Sequence, residues 1–92
     1  MGTFHPEHDG WHGFTVLVFF RDGGAAVGRW DRDEGGTVAI WDACSSAADA
    51  TEGFLARLRT HGPRVEVPRL TFPAERIASV RRLGDWLRGE AN

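Results

Sequence analysis

The residues best equipped for chemistry stand near the start of the chain. His5, His8 and His12 are separated by Glu7 and Asp9, and imidazoles and carboxylates are the ligands a divalent transition metal takes. Their spacing matches no standard zinc signature and offers no clear set of four ligands, so this stretch reads as a solvated, acidic arm. Gly23 to Gly28 has the two-glycine spacing of a phosphate-binding loop, but Arg29-Trp30 stand where Lys-Ser/Thr is required. No G-x-S-x-G elbow, H-E-x-x-H pair or C-x-x-C occurs. Cys44 lies beside Asp42, Ser45 and Ser46. A reactive thiol needs a base and an electropositive setting, and the charge of the neighbouring Asp42 pushes the other way. The reading is a buried, unreactive cysteine, no metal, no cofactor and no catalytic residue.

The aromatic and basic residues are the second set. Trp30 and Trp41 are placed at the ends of neighbouring strands, and Trp11 and Trp86 lie near the termini. Aromatics with arginine nearby are favoured at protein interfaces and on single-stranded nucleic-acid platforms; they also give a small domain buried area. Every basic residue is Arg and Lys is absent. Arg suits phosphate and carboxylate recognition, although Gly-, Ala- and Arg-rich usage without Lys more simply reflects a GC-rich genome. The net charge of −2 conceals a polarity: residues 1–50 carry three Arg against eight acids, residues 51–92 eight Arg against five.

Elements must position these residues, and one stretch organises them. In Phe14–Phe20 both faces are apolar: Phe14, Val16, Val18 and Phe20 point one way, Thr15, Leu17 and Phe19 the other. A strand with one wet face would alternate, so something must cover the second face. Asp22-Gly23-Gly24 predicts a tight turn, Ala25–Trp30 the returning strand, and Gly28 a bend or a close approach. Asp31–Gly36 reads as a charged turn and Thr37–Ala43 as a third strand. Asp49 and Glu52 have capping-box spacing, opening a helix with the stripe Phe54, Leu55, Leu58, closed by His61-Gly62-Pro63. Arg64–Val67 reads as a fourth strand, with a bulge expected at Pro68. The last segment admits two readings. Ile77, Val80, Leu83 and Leu87 fit a helix, which gives an α+β chain of order β-β-β-α-β-α; a strand from Arg76 to about Leu83 followed by a helical turn through Trp86 fits as well, with Gly84 at the junction.

A resemblance bears on that choice. Val16–Arg29, a strand, an Asp-Gly turn and a strand carrying Gly-Arg, resembles the opening hairpin of Sm-like small barrels, and Pro73–Val80 is similar to their short turn and closing strand. The resemblance covers about half the chain and implies a mainly β, small Sm-like barrel with a helical insertion between strands three and four. The acidic front half and the insertion depart from the RNA-binding members.

Ninety-two residues are expected to form an irregular N-terminal arm, 1–13, and one globular domain, 14–92. The single apolar run is far short of the ~20 residues that span a bilayer, no secretory leader is evident, and a lone cysteine fits a reducing cytoplasm. Function is expected to be a non-catalytic protein-interaction or accessory-subunit module, binding a protein partner or forming a homodimer through Leu17, Phe19, Trp30, Trp41 and Trp86. The alternative is a nucleic-acid-binding barrel using Arg76, Arg81, Arg82 and Arg88 on phosphates.

Overall fold

The structure is a computed structural model that describes residues 11–89. Strand β1 spans Thr15–Phe20, β2 Ala25–Glu34 and β3 Thr37–Ser46; a 3-10 turn, Ala48–Ala50, leads into helix α1, Thr51–His61. Strand β4, Val67–Pro73, is joined by a second 3-10 turn, Ala74–Arg76, to β5, Ile77–Arg82, and helix α2, Leu83–Leu87, follows. The fold is mainly β, one antiparallel five-stranded sheet in the order β4-β3-β2-β1-β5, with α1 inserted between β3 and β4. The closing segment is therefore the strand-plus-short-helix arrangement, not the long helix of the α+β reading.

The sheet curls because three strands, β2, β3 and β5, carry bulges. Val27 pairs with Cys44 but Arg29 with Trp41, so β3 holds one extra residue opposite Gly28. Asp42, in that bulge, has a φ of 52°, a left-handed conformation that Asp tolerates better than most residues. A side chain on Gly28 would meet the Trp41 carbonyl oxygen at 2.9 Å and Ile40 Cδ1 at 3.0 Å. The glycine thus permits the close crossing its position in the sequence suggested. A second slip, between Trp30 and Arg32, restores the register. Bulges bend a strand and tighten its twist, and the outcome is visible across the sheet: Phe20 of β1 meets Phe72 of β4 edge to face at 4.9 Å, although two strands lie between them. The curl is not a closed ladder, since β4 and β5 do not pair.

Two clusters fill the two faces. Inside the curl lie Val16, Val18, Phe20, Ala26, Trp30, Val38, Ile40, Phe72 and Ile77, with Trp11 against them. On the outer face Leu17, Val27 and Cys44 lie beneath Leu58 of α1 and Leu83 and Trp86 of α2. Both faces of β1 are therefore covered within the chain, as its sequence demanded, and two helices share the outer face.

Local details differ from the sequence reading. Asp31–Glu34 is strand, and the turn is Gly35-Gly36 alone, both at positive φ, which suits a two-residue hairpin. Asp49 does not cap α1; no side chain does. Instead the Thr51 hydroxyl donates to the Gly23 carbonyl at 2.6 Å, tying the helix to the β1–β2 turn. The fourth strand starts at Val67 rather than Arg64, and its register with β3 runs unbroken from Val67 to Pro73. No bulge is needed at Pro68, because β4 lies at the sheet edge, where a missing N–H is tolerated.

Candidate interaction surface

Each edge strand of the sheet has one neighbour. β4 pairs with β3 only and β5 with β1 only, so the outer N–H and C=O groups of both strands meet no other strand of the described chain. Such edges are templates for another strand. Near the β4 edge lie Val65 and Val67, 62% and 38% exposed.

The five residues expected to bind a partner divide by burial. Leu17 is completely buried, Trp30 is 1% exposed and Trp86 8%. Leu17 lies under α1 and α2 in the outer cluster, Trp30 lies within the curl, and Trp86 packs in the outer cluster with the Arg59 guanidinium over its ring at 4.0 Å. These three give the core its area; a partner reaches them only by opening the chain. Phe19 and Trp41 are half-buried and face outward. Trp30 and Trp41 do not stand side by side. Trp30 pairs with Ile40 and Trp41 with Arg29, so the two rings lie on opposite faces of the sheet.

The four arginines of the nucleic-acid reading do not form one patch. Arg76 and Arg82 flank β5 at its two ends, roughly 20 Å apart at strand spacing. The Arg76 guanidinium lies over the Phe20 ring at 4.4 Å and 3.7 Å from the Asp22 carboxylate. Arg82 lies over Phe14 at 4.1 Å. Arg81 pairs opposite Leu17 on the outer face, and Arg88 bonds to Asp85.

The remaining chemistry is quiet. His5 and His8, with Glu7 and Asp9, lie outside the described residues. His12 is exposed on an open groove lined by Trp30 and Asp31–Glu34, and among the described residues no three His, Cys, Asp or Glu side chains are placed to hold a metal. Cys44 is 4% exposed, beside a crevice of about 20 Å³, room for about one water. Burial pushes its thiol above the ordinary value and Glu66 adds to the shift, while a hydrogen bond from the Arg64 backbone opposes it. Asp42, the neighbour in sequence, is not the cause. Two results are expected. Cys44 resists a thiol reagent at neutral pH while the chain is folded and reacts in urea. Because the thiol ionises more readily in the unfolded chain, stability falls as pH rises past the ordinary 9.0. Rapid modification of the folded chain contradicts this burial.

Sequence reasoning missed Arg29 and Arg69 beside Trp41. Across the outer face Thr15, Arg29, Trp41 and Arg69 are directly opposed on β1, β2, β3 and β4. The only signal in the sequence is the alternation of each strand, and it cannot give register between strands separated by an inserted helix.

No protein-family model matches the chain, and no curated protein does. Solved structures do. A Sm protein of Pyrococcus abyssii in complex with a uridine heptamer superposes with a TM-score of 0.58 at 14% identity, over 84% of this chain and 93% of that one. A heptameric archaeal Sm protein gives 0.57 at 14% identity, over 84% and 96%. A chain of the NatC complex bound to CoA gives 0.53 at 10% identity, over 95% and 99%. The fold is that of the Sm-like barrels. At these identities the likeness is one of fold. Among the described residues no helix is long and apolar enough to cross a membrane.

Proposed function

We propose that this chain, an Sm-like barrel, is a non-catalytic interaction subunit that assembles through the two free edges of its sheet. The observation that carries the reading is the topology: β4 and β5 are the outermost strands, each paired on one side only. Joining β4 of one copy to β5 of the next is a head-to-tail contact, which closes into a ring or continues as a filament. That geometry differs from a two-fold homodimer built on Leu17. The reason for such a dimer, an uncovered outer face on β1, is met within the chain by α1 and α2. Two neighbours in fold support assembly, one a heptameric Sm protein and one a chain within a larger complex.

Light scattering behind a sizing column at micromolar concentration tests the reading. The expected mass is a multiple of the 10.2 kDa chain, with Val65→Glu/Val67→Glu shifting it toward monomer, since like charges placed near a strand edge oppose pairing. Both valines are exposed, so the double variant is expected to fold. A wild-type monomer overturns self-association and leaves a different protein as occupant of the edges. The nucleic-acid reading draws support from the uridine-bound neighbour, and it predicts affinity that falls steeply with added salt.

A further inference from the structure

Trp41 is the one tryptophan of the chain placed in neither core cluster. It is half-buried on the outer face, in the row where Arg29 and Arg69 are its direct cross-strand neighbours. Arg69 is exposed, with its guanidinium carbon 5.4 Å from the centre of the Trp41 ring. Arg29 Nη1 lies 3.6 Å from Asp42 Oδ2. Immediately beyond Trp41 is the bulge, with Asp42 at its φ of 52°, and bulges commonly re-aim a neighbouring side chain. Helices α1 and α2 lie over the adjoining row of Leu17, Val27 and Cys44.

The surroundings carry both signs: Asp42 lies against Arg29, and the Glu66 N–H donates to the Ala43 carbonyl, two residues from Trp41. From Gly53 to Ala74 the charged residues are Arg57, Arg59, Arg64 and Arg69, against the single Glu66. Arg64 lies with Cys44 in the adjoining row, along the same crevice.

We propose that the Arg29–Trp41–Arg69 row is a docking site for an acidic, extended peptide segment of a protein partner. Its carboxylates pair with the two guanidiniums while an apolar side chain lies on the indole. Exposed arginines beside an aromatic are the composition of interface hot spots, and cross-strand neighbours hold them at fixed separations of about 5 Å per strand. A peptide fits better than a nucleic acid. Asp42 lies against Arg29, and Glu34, paired with Arg32, lies farther along the outer face of β2. These acids repel a chain carrying a phosphate at every nucleotide but spare a ligand with one or two carboxylates. The proposal rests on the reading of the chain as a protein-interaction module and names the chemistry of its partner, on the outer side-chain face, which meets the β4 edge at Arg69.

The test is fluorescence anisotropy with the full chain and a short labelled peptide alternating glutamate and valine, beside the same peptide with lysine for glutamate and a labelled oligouridine. The glutamate peptide is expected to bind and the lysine peptide not to. Trp41→Ala is expected to weaken binding about tenfold or more, and Arg29→Glu and Arg69→Glu about fivefold each. Trp41→Phe, which keeps an aromatic face, is expected to retain most of the affinity. Arg88→Glu, the same charge change at the C-terminal end of α2, is the control and is expected to change it less than about twofold. Failure of the glutamate peptide to bind, or an equal loss in Arg88→Glu, overturns the proposal. So does tighter binding of oligouridine that is lost in the same variants, which assigns the row to nucleic acid. Light scattering on the same samples separates the two readings: failure of the row leaves the assembled mass unchanged, and failure of the edges leaves peptide binding intact.

Discussion

Leu17→Asp is expected to leave the chain largely unfolded, and Val16→Asp to do the same. The two side chains point to opposite faces of β1, and both are completely buried. Val16 belongs to the cluster inside the curl and Leu17 to the cluster beneath α1 and α2. A carboxylate at either place loses its hydration, and the cross-strand arginine, Arg81 for Leu17 and Arg82 for Val16, offsets only part of a penalty of several kcal/mol. Domain stabilities are only about 5–15 kcal/mol, and a domain this small has little in reserve. Far-ultraviolet circular dichroism with urea titration reads both variants. A Leu17→Asp chain within about 1 kcal/mol of wild type would show that the helices do not seal the outer face. The paired design matters, because a strand with one wet face gives one severe and one mild substitution.

This doubled burial was legible in the sequence because it depends only on the order of residues within one strand. The closing segment was harder to read, for a local reason. Ile77 and Val80 stand three apart, which suggests a helix. In the structure both are in β5 and both pack toward the inner cluster, because the β1–β5 register shifts between Phe19 and Phe20. One extra residue in β5 turns a period of two into a spacing of three. The same physics hid the end of the β2–β3 hairpin. Asp31-Arg32-Asp33-Glu34 have poor strand propensity, yet they extend β2 opposite Thr37, Val38 and Ala39. Pairing with a strand already anchored in the core overrides propensity there. Asp49 and Glu52 had the spacing of a cap, but the intervening 3-10 turn moved the helix start to Thr51, whose hydroxyl found the Gly23 carbonyl instead.

The candidate surfaces were less legible than the fold. Free edges are a property of strand order, and strand order is settled by which faces must be buried, not by any residue in β4 or β5. The division of the tryptophans depended on bulges that no composition rule locates. Trp30 entered the curl and Trp41 stayed on the outer face, although both were read as strand ends. Arg69 reached Trp41 only because β4 returns, after the whole of α1, in unbroken register with β3.

Helix α2 is the short element on which the outer face depends, and its removal from that face is the second large effect expected. The helix has only the five residues Leu83–Leu87, too few to be stable alone. It is held by Leu83 and Trp86, 6% and 8% exposed, packed in the cluster that contains Leu17. Arg59 of α1 lies over the indole at 4.0 Å, so Trp86 joins both helices to β1. Trp86→Ala is expected to lower stability by about 3–5 kcal/mol, the usual loss for truncating a buried tryptophan. It should also loosen α2 and expose Leu17 and Phe19. An uncovered apolar patch favours association, so the variant is expected to gain non-specific aggregates in light scattering on warming, distinct from assembly through β4 and β5. Arg59→Ala removes only the exposed cation and is expected to cost about 1 kcal/mol or less. If Trp86→Ala is as mild as Arg59→Ala in urea titration, α2 is not what covers β1. The outer face then needs a partner, and a two-fold interface through Leu17 and Phe19 returns as its cover.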